Sequence, residues 1–142
     1  MKLAARKAST PRVQLRDQRQ ADRNRAPPLR EEFPELAQLR VELYFADSTR
    51  PAPSSQSHTL YPAARAYFRF ACPCFDCNGE FDLGAEARAL AAASGPRQRE
   101  TRGALECVGV RSHDQRGGVR CPIQLQFRIG ITANSASRGV AT

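Results

Sequence analysis

Along residues 119–131 every odd position is Val119, Cys121, Ile123, Leu125, Phe127, Ile129 or Ile131, while Arg120, Gln124, Gln126 and Arg128 stand at even positions. A period of two belongs to a strand with one buried face, because successive side chains point to opposite sides of a sheet. The same alternation in residues 38–46, with Leu39, Val41, Leu43 and Phe45 between Arg40, Glu42 and Tyr44, predicts a second strand. Residues 66–72 form a third, sending Phe68, Phe70 and Cys72 to one face and Tyr67 and Arg69 to the other. A short strand is expected over 80–83. An alanine-rich helix is expected over 85–93, started by Asp82 as cap and stopped at Ser94-Gly95-Pro96.

The strand at 119–131 is expected to pair with residues 104–111 through the turn His113-Asp114-Gln115-Arg116-Gly117-Gly118, whose glycines accept positive φ. Val108 and Val110 fall out of phase with Leu105 and Cys107, as in a strand covered on both sides. Pro122 has no N–H for a ladder, so the long strand should face an open edge there. Pro34 limits residues 30–36 to one helical turn. Residues 47–64, with Pro51, Pro53, Pro62 and several serines, read as a loop holding His58 and Tyr61, and a second polar loop runs to Gly103 past Arg97, Arg99 and Arg102. The expected fold class is α+β: a small antiparallel sheet of about four to five strands with one short helix.

Charge divides the chain. Of 22 Lys and Arg and 14 Asp and Glu, nine basic residues and only Asp17 and Asp22 lie in residues 1–30, a net +7, which leaves +1 for the remainder. With few large apolar residues and a close at Ala26-Pro27-Pro28, residues 1–30 are expected to be a disordered basic arm, followed by a β-rich domain over 31–132 and a disordered tail over 133–142. Such an arm can neutralise phosphates. The preferred reading is compositional: a chain with this much Arg and Ala resembles the product of a GC-rich genome, its start codon set too far upstream. No apolar run nears the roughly 18 residues of a membrane span. The first ten residues lack the apolar core of a secretory signal. The expectation is a cytoplasmic protein with no membrane partner.

The chemistry lies in five cysteines. Cys74-Phe75-Asp76-Cys77, followed by Asn78-Gly79, is a C-x-x-C step that can turn two sulfurs toward one ion. A hairpin centred on Asp114 would set Cys107 directly opposite Cys121, with Cβ atoms about 4.5 to 5.5 Å apart. Sulfurs around a tetrahedral zinc lie roughly 3.8 Å from one another. The expected ligands are therefore Cys74, Cys77, Cys107 and Cys121, with Cys72 as the alternate to Cys74. Cys72 also fits as a small buried residue, and a disulfide, unrelated core thiols and a thioredoxin-like redox pair are the competing explanations of the cysteines. His58 or His113 could replace a ligand.

On Cys74, Cys77, Cys107 and Cys121 the chain resembles zinc ribbons, in which a C-x-x-C knuckle on one hairpin faces a cysteine pair on another. The resemblance covers about residues 66–131 and departs from the ribbon pattern in its C-x13-C second pair and the helix between the halves. It implies a structural Zn2+ held by four thiolates, whose loss with Cys77 would unfold the domain. No phosphate-binding glycine loop, nucleophile elbow or H-E-x-x-H helix is present. The leading expectation is a non-catalytic zinc module for macromolecular interaction, with a protein or nucleic-acid partner. The residues expected to meet nucleic acid are Arg40, Tyr67, Arg69, Arg120 and Arg128, beside Tyr44, Gln124 and Gln126. The alternative is a zinc- or thiol-dependent enzyme using Cys72, Cys74 and Cys77 with Asp76 or Glu80.

Overall fold

A computed structural model describes residues 11–47, 50–74, 77–111 and 119–134. Along these run helices α1 (Pro11–Arg25) and α2 (Leu29–Glu32), strands β1 (Leu36–Asp47), β2 (Arg50–Leu60), β3 (Arg69–Ala71) and β4 (Glu80–Asp82), helix α3 (Gly84–Ala92), and strands β5 (Gln98–Glu106), β6 (Val110–Arg111), β7 (Val119–Arg120) and β8 (Ile123–Ala133). The fold is α+β. A four-stranded antiparallel sheet has the order β2-β1-β8-β5, and β3-β4 and β6-β7 form two small hairpin ladders. Of the segments read from sequence, residues 1–10 of the arm, Asp76, the turn at 113–118 with His113, and the tail beyond 134 lie outside the described residues.

The alternation in β1 and β8 sets the core. Leu39 faces Ile131, Val41 faces Ile129, Leu43 faces Phe127 and Phe45 faces Leu125, and all eight side chains are buried. Burying a side chain of this size stabilises by about 1.5–3 kcal/mol, which makes this shared face the main driving force of folding. It is covered by Phe81 of β4, whose ring lies 5.8 Å from that of Phe45, by Leu83, by Ala87 and Leu90 of α3, and by Leu29 and Phe33, the last 6.3 Å from Phe68. The opposite face is polar. Arg40 and Tyr44 are exposed there, and Arg128 Nε donates to Glu42 Oε1 at 2.6 Å, a hydrogen bond that holds the Glu42 carboxyl below the ordinary carboxylate range.

Three stretches expected to be irregular are ordered. Residues 50–60 form β2, with Leu60, His58, Gln56 and Ser54 opposite Leu39, Val41, Leu43 and Phe45. An edge strand buries little, so it needs no apolar alternation, and it tolerates Pro51 and Pro53 where the pairing is irregular near the Asp47 end. The polar loop before Gly103 is strand from Gln98 onward: Arg99, Thr101, Gly103 and Leu105 are half-buried and the residues between them exposed. Val108 is 75% exposed, so this segment is covered on one side at most.

Residues 11–25, expected to lack structure, form α1, which is anchored by polar contacts that a count of apolar residues does not register. Arg19 Nε donates to Glu80 Oε1 at 3.0 Å and its Nη2 to the Gly79 carbonyl at 3.2 Å, and the Arg23 guanidinium lies 5.0 Å from the Tyr67 ring centroid. Leu29, assigned from sequence to the arm, is fully buried in the core, so ordered packing begins before residue 31.

Smaller differences follow from the same geometry. Asp82 precedes the N-cap Leu83, yet its Oδ1 accepts from the Gly84 N–H at 2.9 Å. The long strand breaks at Cys121-Pro122, just beyond the pairing of Ile123 with Asp47, so Pro122 takes no place in the β1 ladder. Replacing Leu43 by Ala should destabilise by about 2–5 kcal/mol, the usual range for a core cavity. Replacing the exposed Tyr44 by Ala should change stability by only about 0.5 kcal/mol. Urea unfolding at unchanged m-value checks both.

Candidate metal centre

Four cysteines stand where strands end. Cys72 follows β3 directly and Cys77 lies on the return to β4; Cys107 follows β5, and Cys121 lies between β7 and β8. The two halves use the same local pieces in opposite chain order. One contains Cys72-Pro73 then Cys77-Asn78-Gly79, the other Cys107-Val108-Gly109 then Cys121-Pro122. Cys72 N–H donates to the Gly79 carbonyl at 3.1 Å, and Cys121 N–H donates to the Gly109 carbonyl at 3.0 Å.

The four sulfurs are buried and lie within 4.8 Å of one another, so they can hold a metal ion. Cys72 Sγ is 3.8 Å from Cys121 Sγ, and Cys77 Sγ is 3.4 Å from Cys107 Sγ, each contact joining the two halves. A tetrahedral ion with bonds of about 2.3 Å to sulfur needs edges of roughly 3.8 Å, and the group is near that size. No disulfide joins the cysteines. Gly79 N–H donates to Cys77 Sγ at 3.1 Å, Gly109 N–H donates to Cys107 Sγ at 3.3 Å, and the Cys74 N–H donates to Cys72. Donors of this kind favour thiolate. Burial acts against it, pushing the Cys72 thiol far above its ordinary value and raising that of Cys77, because charged sulfur loses its solvation. A bound dication would supply the missing counter-charge.

The halves meet through glycine. A Cβ on Gly79 would lie 2.3 Å from Cys107 Sγ, and one on Gly109 would lie 2.5 Å from the Gly79 nitrogen and 2.7 Å from Cys77 Sγ. The sulfurs converge because neither position carries a side chain. These two glycines were not singled out as site residues from sequence. The repeated Cys-x-Gly, together with the repeated Cys-Pro, was the available signal, since it equates Cys72 with Cys121.

Two expectations about the ligands change. Cys72, the alternate, completes the group, whereas Cys74 is half-buried and packs beside the core outside it. Cys72 keeps the inward parity of Phe68 at the end of its strand. Cys107 is also not directly opposite Cys121: the register pairs Glu106 with Gln124 and Val110 with Arg120, so Cys107 N–H bonds the Ile123 carbonyl and Cys121 is a diagonal neighbour. The sulfurs still meet because both side chains enter the same buried space.

The remaining candidates are dispersed. His58 lies in β2 with its ring 5.1 Å from that of Phe70 and Nε2 3.1 Å from Gln56 Oε1, and burial lowers its basicity. Tyr61 is exposed. Arg40 and Arg128 stand on the open sheet face, Arg120 lies 3.6 Å from Glu106, and Tyr67 and Arg69 lie against α1, Arg69 within 4.0 Å of Asp22, Glu80 and Asp82 carboxylates. Of the five residues expected to meet nucleic acid, Arg69, Arg120 and Arg128 each lie beside a carboxylate of this chain. Glu80, the alternative's acid, pairs with Arg19.

Gly79→Ala and Gly109→Ala should each cost at least about 1–3 kcal/mol through overpacking and should spread the sulfurs apart. Gly130→Ala is the control, since its new Cβ would meet only the far end of the Arg40 side chain at 3.1 Å. Thermal unfolding and metal-titration midpoints measured on all three separate a steric closure from a general intolerance of Ala. No protein-family model, curated protein or solved structure matches this chain, so its chemistry is read from the cluster itself.

Proposed function

We propose that the protein is a non-catalytic zinc module of ribbon-like type, in which Cys72, Cys77, Cys107 and Cys121 hold one structural Zn2+ and the ordered sheet serves macromolecular recognition. The observation that carries this reading is the convergence of four buried sulfurs from two knuckles. Soft thiolates favour zinc among the common divalent ions, and a set of four cysteine ligands closes the coordination sphere, leaving no position for substrate or water. The His and carboxylate ligands typical of hydrolytic zinc are not part of this group. Bound metal would tie the short β3-β4 hairpin, in which Arg69–Ala71 pair with Glu80–Asp82, to the end of the main sheet. A two-stranded hairpin is marginal alone, so the cross-link would matter most there.

Protein purified without added zinc should contain about one zinc per chain by elemental analysis. Cys72→Ser and Cys121→Ser should lose the metal and, with it, a large part of the stability, since structural zinc contributes an apparent 10–16 kcal/mol or so in small modules. Cys74→Ser should keep the metal. Retention in Cys72→Ser with loss in Cys74→Ser would overturn the ligand set.

Metal uptake should also release protons and weaken as pH falls. The apo thiols of Cys72 and Cys77 are held neutral by burial, so protons compete directly with the ion. A pH titration against a chelator of known affinity reads the proton count from the slope.

A further inference from the structure

The main sheet ends in two unlike edges. β2 carries Pro51 and Pro53, which blunt it for pairing, whereas the nine residues of β5 include no proline and no described strand lies on their outer side. The direction of the backbone groups follows from the β8 ladder. Cys107 N–H bonds the Ile123 carbonyl and Ala133 N–H bonds the Arg97 carbonyl, and the register between them has no shift. In an antiparallel ladder hydrogen-bonded pairs recur every second residue. The odd residues of β5 thus bond β8, and the N–H and C=O of Gln98, Glu100, Arg102, Ala104 and Glu106 point to the open edge. These five residues are also the exposed ones.

We infer that β5 is a self-pairing edge and that its partner is a second copy of this chain, joined antiparallel about a two-fold axis at Thr101. That register sets Glu100 opposite Arg102 of the other copy, twice, and Gln98 opposite Ala104. It matches outward-pointing backbone groups with one another. The registers one step to either side fail on charge, since they place Arg102 against Arg102 or Glu100 against Glu100; two steps away, one direction places Glu100 against Glu106 and the other pairs fewer residues of the strand. Within one chain Arg102 Nε already donates to Glu100 Oε2 at 3.0 Å, so the paired copies would form a row of alternating charges. Thr101 would face Thr101 on the other side of the sheet, a favourable cross-strand pair. The two sheets become one continuous sheet across the axis, and the inference does not depend on metal binding.

The test is sedimentation equilibrium of the full chain over a wide concentration range, with Arg102→Glu and the double variant Glu100→Arg/Arg102→Glu. Wild type should dimerise. Arg102→Glu, which opposes Glu to Glu at two places, should raise the dimer dissociation constant about tenfold or more, and the double variant should restore it. Misfolding cannot mimic this result, because residue 102 is opposite Arg128 in β8 and a Glu there gains a partner. A wild type monomeric throughout, a dimer indifferent to Arg102→Glu, or a double variant that fails to restore pairing would each overturn the inference.

Discussion

The ladder between β1 and β8 carries the rest of the molecule. It aligns two long alternating strands so that their apolar residues share one face, and β2, β4, β5, α2 and α3 are placed by burying side chains on that face or by bonding to the sheet. β5 takes its position from β8, which brings Cys107 level with the break at Cys121-Pro122. The first hairpin is held from the other side, through Phe81 against Phe45. The four sulfurs are therefore near one another because a hydrophobic sheet has already positioned the two chain segments that bear them.

Closing the last few ångströms is a different problem, solved by the backbone. Gly79 and Gly109 pass so close that neither admits a Cβ, and the same two residues donate N–H groups to the sulfurs beside them. The arrangement suits thiolate but buries it, a conflict visible in the upward displacement of the Cys72 and Cys77 thiols. An ion resolves such a conflict, since it repays in coordination what the sulfurs lose in solvation. α1 reaches this corner as well, through Arg19 on the Gly79 carbonyl, so the basic helix and the cluster share a residue.

The legible part of the fold was the part with a strong apolar period. β1 and β8 follow from sequence because burial on one face dictates which residue types recur, and α3 follows from its run of alanines and the stop at Ser94-Gly95-Pro96. β2, the first part of β5 (residues 98–103) and α1 were hidden for a common reason: they sit at edges or are held by guanidinium contacts, where burial is slight and composition is free to be polar. At Ser54–Leu60 the ladder with β1 provides the order, and a ladder made of backbone groups leaves little trace in side chains.

For the site, the sequence by itself pointed to two cysteine-bearing segments, residues 72–77 and the pair Cys107 and Cys121, as the places from which a sulfur cluster would be built. Only the tertiary structure decided which sulfurs meet. The exchange of Cys72 for Cys74 and the two-residue shift between Cys107 and Cys121 turn on strand register and on which way a side chain leaves the chain at a strand end. Those depend on the β5-β8 ladder and on the close approach of Gly79 and Gly109, contacts made between residues far apart in sequence, and spacing along the chain carries no record of them.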